Sequence, residues 1–287
     1  MFEFYKYHGA GNDFIMIDNR DGRLGIVDAE KIKLLCDRHF GIGADGIIFL
    51  ESSNKVDSTG SPQADCFMNY YNSDGSLAEM CGNGIRCLAK FFLERTNSKG
   101  HQIKELSIDT RAGIKKVIKN DDGSFSVNMG VPVFVSADFP NNSLMLENIL
   151  FKFVSMGNPH AVGLVKNISE IDISNIGSKI ERDSHFPNKI NVEFVEKVTD
   201  NYYKVKVWER GSGATLACGT GACAAYAILK NENKNINGVA SEIETETTKE
   251  ITLEFPGGNL YLSENKEGQI ILRGSAVYVF KGEIKKS

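Results

Sequence analysis

The sequence predicts an α+β fold built from two similar lobes, each with strands around a buried central helix. Most apolar segments are short, alternating and separated by turn residues, which is typical of strands. Only a few segments have helical periodicity, and the mixture favours an α+β class. Two separate parts of the chain also repeat the same ordered set of motifs, which indicates a duplicated architecture.

Alternating runs and turn residues place the individual elements. Strands are predicted at residues 14–18, 47–50, 67–71, 204–208 and 277–280. Helices are predicted at residues 29–37, 85–95 and 222–230. Asp-Gly pairs and a Pro-Gly-Gly segment mark turns at residues 21–22, 74–75, 122–123 and 256–258. Residues 52–63 form a predicted surface loop, and the polar stretch 231–249 holds a candidate strand near Ile243.

Composition and charge exclude several classes of protein. Hydrophobic residues make up 41% of the 287 residues and charged residues 24%, which excludes a disordered chain. The net charge of -4 and the scattered basic residues give no stripe for nucleic acid. The first residues have no apolar signal-peptide core, and apolar runs such as 47–50 are too short to span a bilayer. We therefore expect a cytoplasmic protein with no nucleic-acid or membrane partner.

Six cysteines occur, and none forms a Cys-x-x-Cys pair. A zinc ribbon or thioredoxin-like motif is therefore not expected, and neither is a metal site. In a cytoplasmic chain most thiols stay reduced. The simplest interpretation of any one cysteine is a small buried hydrophobe, and we expect Cys87 and Cys223 to be packing residues.

The internal repeat is centred on the two remaining Cys-Gly-x-Gly segments, residues 81–84 and 218–221. Each opens a predicted helix that is apolar almost all round, which indicates a buried helix. A single four-residue match arises easily by chance, but an ordered set does not. The other matched residues are Asn12 and Asn158, which precede their cysteines by 69 and 60 residues, and Asn72 and Glu209, which each precede theirs by nine.

Cys81 and Cys218 differ from the other cysteines because they stand where a buried helix begins. The first N–H groups of a helix have no partner within the helix, and the helix dipole adds positive charge there. A carboxylate is a natural ligand of such a site, and the same field is expected to lower a thiol pKa. Two such ends facing each other would bind an α-carboxylate and put one sulfur on each face of its Cα, so that one removes a proton and the other returns one. For one motif alone, a Gly-rich helix start with a buried cysteine is the better interpretation; the repeat favours catalysis.

Five segments carry a resemblance to a known family. Residues 8–14, 72–76, 81–87, 157–160 and 209–221 resemble diaminopimelate epimerase and occur in the order of that family. The segment at 276–284 is also similar to the family's last strand. The resemblance covers nearly the whole chain.

The resemblance implies a reaction and a fold. The reaction is the interconversion of LL-2,6-diaminopimelate and meso-diaminopimelate, with no cofactor and no metal, in lysine and peptidoglycan precursor synthesis. The fold is two pseudo-symmetric lobes, each a strand barrel around a central helix. The N-terminal lobe would span residues 1–123, with strand 275–287 returning to it, and the C-terminal lobe residues 124–274. The partner is a small-molecule substrate, and a homodimer is left open.

The resemblance also implies roles for individual residues. Cys81 and Cys218 would be the acid–base pair, and His160 and Glu209 would adjust the protonation of the two thiols. A larger set would bind the substrate through backbone N–H groups, amides and a guanidinium. That set is Asn12, Asn72, Gly82, Asn83, Asn158, Asn191, Glu209, Arg210, Gly219 and Thr220.

Each implied role has a plainer alternative. Asn12, Asn72 and Asn191 could be turn or strand-end residues. His160 could be a hydrogen-bonded structural histidine, and the pair at 209–210 could be an ordinary surface ion pair.

The chain departs from the family pattern in two places. Some family members have glutamine where this chain has Gly46, so that position is left out of the site. The loop between Gly46 and Asn72 is also longer than in some relatives.

Four competing functions remain. Two are enzymes of the same fold: a proline or hydroxyproline racemase, which also uses paired cysteines, and a phenazine-type isomerase, which does not need them. The others are an amino-acid-binding protein and a thiol-redox sensor. Exchange of the substrate Cα proton in heavy water separates the enzymes from the last two.

Overall fold

The computed structural model describes residues 2–25, 28–96, 103–236 and 249–284. The chain divides into two compact units, the first Met1–Val127 with Gly274–Ser287 and the second Asn128–Arg273. The candidate strand near Ile243 lies outside the described residues. Within the described ranges, no helix has the length and apolar character needed to cross a membrane.

The first unit is a run of paired strands. Their bounds are β1 Phe2–Gly9, β2 Asn12–Asp18, β3 Gly46–Glu51, β4 Cys66–Asn72, β5 Glu105–Asp109, β6 Lys115–Lys119, β7 Phe125–Gly130 and β17 Val277–Ile284. Strand β17 pairs with β1, and β1 to β7 then pair in chain order. The pairs β2–β3 and β4–β5 are parallel and the others are antiparallel.

The second unit has its own run of paired strands. Their bounds are β8 Leu144–Leu146, β9 Ile149–Ser155, β10 Pro159–Val165, β11 Asn191–Thr199, β12 Tyr202–Glu209, β13 Gly213–Thr215, β14 Ile251–Phe255, β15 Gly258–Glu264 and β16 Ile270–Gly274. Strands β8 to β12 pair in chain order, followed by β14, β15 and β16, while the short β13 lies beside β12. The pairs β10–β11 and β12–β14 are parallel.

The two units repeat one pairing pattern. Each unit begins with two antiparallel strand pairs, followed by one parallel pair and one antiparallel pair. A second parallel pair and two further antiparallel pairs complete the series. The two strands of each parallel pair are connected by a segment that contains a helix, because parallel neighbours need a long crossover connection. The structural equivalence extends the sequence repeat, and it makes β2 the counterpart of β10 and β3 the counterpart of β11. The predicted α+β class is confirmed.

Two long helices carry the repeated cysteine motifs. Helix α2 is Gly82–Thr96 and packs against β1, β2, β3, β5 and β6. Helix α4 is Gly219–Ile236 and packs against β9, β10, β11 and β15. Residues 82–89 of α2 and 221–229 of α4 are buried throughout. Both predicted helices are therefore confirmed, although each begins three residues earlier than predicted, directly after its cysteine.

Two shorter helices fill the first crossover of each unit. Helix α1, Ala29–Cys36, begins at the Asp28 cap and confirms its prediction. Helix α3, Ile173–Glu181, was missed, because a glycine and β-branched residues lower its helix propensity. The available signal was the Asp172 cap followed by isoleucines at 173, 176 and 180.

The five predicted strands are all confirmed within β2, β3, β4, β12 and β17. The predicted surface loop at 52–63 is exposed apart from the partly buried Ser53, with one bridge between Val56 and Pro62. Strands β1, β5 to β11 and β13 to β16 were not individually predicted. Cys87 and Cys223 are fully buried in their helices, which confirms them as packing residues.

Candidate active site

The start of α2 is fixed by a buried arginine. Arg86 is fully buried, and its Nη1 donates to the carbonyl of Gly82 at 2.9 Å while Nη2 donates to Asn83 Oδ1 at 2.7 Å. The N–H of Ile85 donates to the carbonyl of Cys81 at 2.9 Å, so Cys81 is the capping residue of the helix. The Cys81 thiol therefore stands beside the first N–H groups of α2, as the sequence predicted.

Asn12 connects the Cys81 thiol to a carboxylate. The Cys81 Sγ donates to Asn12 Oδ1 at 3.5 Å, and Asn83 Nδ2 donates to the same oxygen at 3.3 Å. Asn12 Nδ2 donates to Asp45 Oδ2 at 2.8 Å. Because a carboxylate only accepts, Asp45 turns the amide oxygen of Asn12 towards the thiol. Sequence reasoning missed Asp45, although it lies beside the Gly46 position that was considered.

Among the described residues, no hydrogen bond joins Asn72 to this network. Its side chain donates to Ser76 Oγ at 3.0 Å, within its own turn. Its Cα partner across the β3–β4 pair is Gly46. A Cβ added at Gly46 would lie 2.6 Å from the Tyr71 carbonyl oxygen, so this backbone leaves no room for the glutamine of some relatives.

The start of α4 surrounds the Cys218 sulfur with polar groups. Ala222 N donates to the Cys218 carbonyl at 2.9 Å, so Cys218 is also a capping residue. The N–H of Gly221 donates to Cys218 Sγ at 3.3 Å, and Thr220 Oγ1 lies 3.4 Å from the sulfur. The carboxylate of Glu209 acts on the Cys218 thiol through its charge and accepts from Thr215 Oγ1. The sulfur therefore has one backbone donor, a neighbouring hydroxyl and a carboxylate close enough to act on its protonation.

The protonation of this half of the site differs from the sequence-based expectation. Burial raises the pKa of the Cys218 thiol well above its ordinary value, and the charges of Glu209 and Glu193 raise it further. The hydrogen bonds from Thr220 and Gly221 act in the opposite direction but are weaker. Burial also raises the pKa of the Glu209 carboxyl. The expectation of a lowered pKa was therefore wrong for Cys218, because desolvation outweighs the helix dipole.

His160 is buried between an amide and a carboxylate. Its Nε2 lies 3.0 Å from Asn158 Oδ1, and its Nδ1 lies 2.7 Å from Oε1 of Glu193. Asn158 Nδ2 donates to Thr220 Oγ1 at 3.4 Å, which links His160 to the Cys218 cap. Sequence reasoning missed Glu193. The available signal was a single carboxylate inside the otherwise apolar run of residues 192–195, since unpaired carboxylates are rarely buried.

Asn191 and Arg210 lie together at the rim of the second unit. Asn191 Nδ2 donates to the Pro159 carbonyl at 2.8 Å, and its Oδ1 accepts from the backbone N–H of Arg210 at 2.9 Å. The Arg210 guanidinium donates to the Asn188 carbonyl at 2.9 Å and is exposed. The amide of Asn191 thus fixes the backbone of Arg210 and leaves its guanidinium at the surface.

The predicted residues fall into two clusters, one in each unit. The first unit brings together Cys81, Gly82, Asn83 and Asn12. The second unit brings together Asn158, His160, Asn191, Glu209, Arg210, Cys218, Gly219 and Thr220. Among the described residues, no group of three or more His, Cys, Asp or Glu side chains is arranged to hold a metal ion. The expectation of a reaction without cofactor stays a prediction.

Solved structures share this fold. A hydroxyproline epimerase from Agrobacterium vitis matches with a TM-score of 0.69 at 14% identity, over 98% of this chain and 91% of that one. A phenazine biosynthesis protein of the PhzF family from Bacillus anthracis matches with a TM-score of 0.65 at 19% identity, over 99% of both chains. Such low identities show the fold alone. These neighbours define the structural class to which this chain belongs.

Sequence comparison identifies the family within this class. The family model described as diaminopimelate epimerase matches residues 4–135 and 152–279. A diaminopimelate epimerase of Gloeothece citriformis is 40% identical over 297 residues, and one of Trichodesmium erythraeum is 41% identical over 295 residues. Each match covers 98% of both chains. The chain belongs to the diaminopimelate epimerase family.

Proposed function

We propose that this chain interconverts LL-2,6-diaminopimelate and meso-diaminopimelate, with Cys81 and Cys218 as the two bases. Its product would be a precursor of lysine and peptidoglycan. The observation that carries the proposal is the repeated helix start: each unit caps its buried helix with a cysteine whose sulfur is hydrogen-bonded to polar groups. The proline or hydroxyproline racemase alternative is less supported, because the family match extends over nearly the whole chain.

The surroundings of the two sulfurs support different protonation states for Cys81 and Cys218 before substrate binds. The Cys81 thiol donates a hydrogen bond to the amide oxygen of Asn12. This acceptor is neutral and does not take the proton, so the proton stays on the sulfur. Cys218 lies under the influence of the Glu209 charge, and its sulfur accepts from the Gly221 N–H. When Glu209 takes the proton, the thiolate formed keeps that donor. In this mechanism the thiolate removes the Cα proton, and the thiol on the opposite face returns one.

The substrate carboxylate at the reacting centre is proposed to bind the two helix starts. The N–H groups of Gly82 and Asn83, and of Gly219 and Thr220, belong to first helical turns that lack partners within the helix. Charge that develops on the carboxylate as the Cα proton leaves is stabilised by these donors. We assign the distal amine and carboxylate to Asn72, Asn158, Asn191, Glu209 and Arg210.

We expect epimerisation by the purified protein with no added metal or cofactor. The test is incubation with LL-diaminopimelate and analysis of isomer composition by chiral chromatography, before and after dialysis against a chelator and a carbonyl reagent. The rate should be unchanged, because the proposed acid and base are both side chains of the chain itself. A loss that is restored by a metal ion or by pyridoxal phosphate would contradict a reaction without cofactor. An absence of any isomer change under all conditions would contradict the function.

We further propose that the protein forms a homodimer through β17. Four successive side chains of this strand, residues 277–280, are each between 39% and 50% exposed, although all are apolar or aromatic. An apolar strand surface of this kind is a usual site of protein association. Sedimentation velocity should show a dimer, and Val279→Lys should shift it towards monomer. The matched control is Val131→Lys at another exposed valine. A monomeric wild-type protein at micromolar concentration would contradict the proposal.

A further inference from the structure

Glu193 is a buried carboxylate that the proposed mechanism does not use. Neither Glu193 nor His160 has any exposed surface, and Oε1 lies 2.7 Å from His160 Nδ1. Among the described residues, Oε2 has no hydrogen-bond partner. A buried carboxylate in this state is costly unless a positive charge lies beside it. The positive charge that the geometry offers is a second proton on the His160 ring.

The internal repeat shows that this pair is specific to the second unit. Glu193 is the third residue of β11, and the third residue of its counterpart β3 is Ile48. A Cβ at Gly84 of α2 would lie 2.8 Å from Ile48 Cδ1, and a Cβ at Gly221 of α4 would lie 2.5 Å from Glu193 Oε1.

His160 also differs from its counterpart in the first unit, Phe14. It lies two residues after Asn158, as Phe14 lies two residues after Asn12, and the Gly84 Cβ would lie 3.4 Å from the Phe14 ring. The first unit therefore packs its helix start with an apolar pair, and the second unit with an ionisable pair. Packing of the helix alone does not require a charge.

A chain of hydrogen bonds connects the pair to the Cys218 sulfur. Asn158 Oδ1 faces His160 Nε2 at 3.0 Å, and Asn158 Nδ2 donates to Thr220 Oγ1 at 3.4 Å. Thr220 has one hydroxyl hydrogen, and its oxygen lies 3.4 Å from Cys218 Sγ. Because the hydroxyl oxygen already accepts from Asn158, its hydrogen is available to the sulfur.

The protonation of the His160 ring is indicated by the two oxygens that lie beside its nitrogens. When Glu193 is ionised, Glu193 Oε1 and Asn158 Oδ1 are both acceptors, and each ring nitrogen then donates a hydrogen. We propose that Glu193 is a positioning residue that keeps His160 doubly protonated, so that Asn158 and Thr220 direct the Thr220 hydroxyl hydrogen to the Cys218 sulfur. This inference rests on the proposed function for its catalytic consequence, but the proton count of the ring does not depend on substrate.

Charges around His160 are consistent with this arrangement. Among the described residues, the ionisable groups that act on the ring are Glu193 from β11 and Glu209 at the end of β12, and both carboxylates also act on the Cys218 thiol at the start of α4. The doubly protonated ring and the Glu193 carboxylate cancel each other's charge. One negative charge then remains for Glu209 and Cys218 to share, so that a single mobile proton moves between them. With a neutral ring, two buried carboxylates would oppose formation of the thiolate.

The first test needs only the wild-type protein. Nitrogen-15 NMR of histidine-labelled protein, with the His160 signals assigned by comparison with His160→Gln, should show hydrogens on both ring nitrogens at neutral pH. Glu193→Gln should show one, because a neutral amide does not hold the second proton. A singly protonated ring in the wild type would overturn the inference. This measurement is independent of activity, so it separates failure of the inference from failure of the proposed function.

The second test follows turnover. Because Glu193 is not assigned any contact with substrate, Glu193→Gln should lower kcat roughly 10- to 100-fold with little change in KM. The alkaline limb of its kcat/KM profile should move to lower pH. The matched control is Glu196→Gln on the same strand, whose carboxylate accepts from the Ile168 N–H and is remote from the ring. It should keep the wild-type profile. A Glu193→Gln profile that is unchanged would overturn the catalytic part.

The third test separates positioning from a simple charge effect. If Glu193 acted only as a negative charge near Cys218, its loss would let the thiol ionise at lower pH. In the proposed pair the ring loses its charge together with the carboxylate, so the thiolate should form at no lower pH than in the wild type. The readout is the ultraviolet absorbance of the thiolate, measured against matching Cys218→Ser proteins. A clear downward shift would overturn the proposal.

A double variant that copies the first unit gives a fourth test. His160→Phe with Glu193→Ile puts the apolar pair of the first unit into the second, and such replacement of a buried ion pair is often neutral or stabilising. The variant should unfold at a temperature near that of the wild type but lose epimerase activity as strongly as Glu193→Gln or more. Full activity in the folded double variant would overturn the role of the pair.

Discussion

Replacing either Cys81 or Cys218 with serine is expected to abolish epimerisation almost completely. Serine has a much higher pKa than cysteine, so it cannot supply the anionic base, although it can still donate a proton. Epimerisation needs one base and one acid on opposite faces of the same Cα. Each single variant therefore retains one working base and lacks the other.

A one-base reaction shows which face each sulfur serves. Substrate analogues with a halogen at Cβ release halide after removal of the Cα proton, and this elimination needs only one base. Each serine variant is given both stereoisomers of the analogue, and halide release is measured. The two variants should prefer opposite stereoisomers. Equal preferences, or full epimerase activity in either variant, would contradict the two-base assignment.

Matched controls lie in the same two helices. Cys87 in α2 and Cys223 in α4 are fully buried, and burial raises the pKa of the Cys87 thiol to about 12. A thiol of this kind is protonated at neutral pH and does not act as a base. Cys87→Ala and Cys223→Ala should therefore keep near-normal kcat/KM if they fold. This comparison distinguishes loss of a catalytic base from general damage to a helix.

Replacing Arg210 with lysine is expected to lower kcat/KM roughly 100-fold. The substitution keeps the positive charge but loses the planar group that grips a carboxylate through two parallel bonds. Its backbone N–H bond to Asn191 is retained, so the loop itself should stay in place. The loss should appear mainly for substrates that carry the distal carboxylate.

The control for this prediction is another arginine of the second unit. Arg182 donates to the Ser178 carbonyl at 3.0 Å at the end of α3 and has no proposed role in binding. Arg182→Lys should keep normal kinetics. A second comparison uses a substrate analogue without the distal carboxylate, on which the wild type and Arg210→Lys should become nearly equal. Near-normal kcat/KM of Arg210→Lys with diaminopimelate would remove Arg210 from the site.

Sequence reasoning went furthest where the pattern is local. Alternating apolar runs predicted five strands, and apolar periodicity predicted α2 and α4, because both patterns reflect burial of one face or of a whole element. It failed for α3, since weak helix formers there are compensated by packing: a Cβ at Gly177 would lie 2.7 Å from Trp208 Cβ. The strand order also depends on long-range pairing, which periodicity does not encode.

The candidate site also contains some residues that local sequence patterns predicted and others that they did not. The repeated Cys-Gly-x-Gly motif at Cys81 and Cys218 can be recognised from residue types and spacing alone. It predicted two capped helix starts without any knowledge of the fold. Asp45 and Glu193 were not found, because each acts on a motif residue from a different strand or loop. Asp45 reaches Asn12 across 33 positions, and Glu193 reaches His160 across the same separation.

The sequence by itself determined the α+β class, the duplicated plan and the pair of cysteines at helix starts. These properties follow from periodicity, turn residues and glycine spacing, which are local. Only the tertiary structure decided the protonation of the site. Burial and two carboxylates raise the pKa of Cys218, whereas the helix start alone predicted the opposite direction. A pKa depends on desolvation and on charges from every surrounding element, and those are brought together only by the fold.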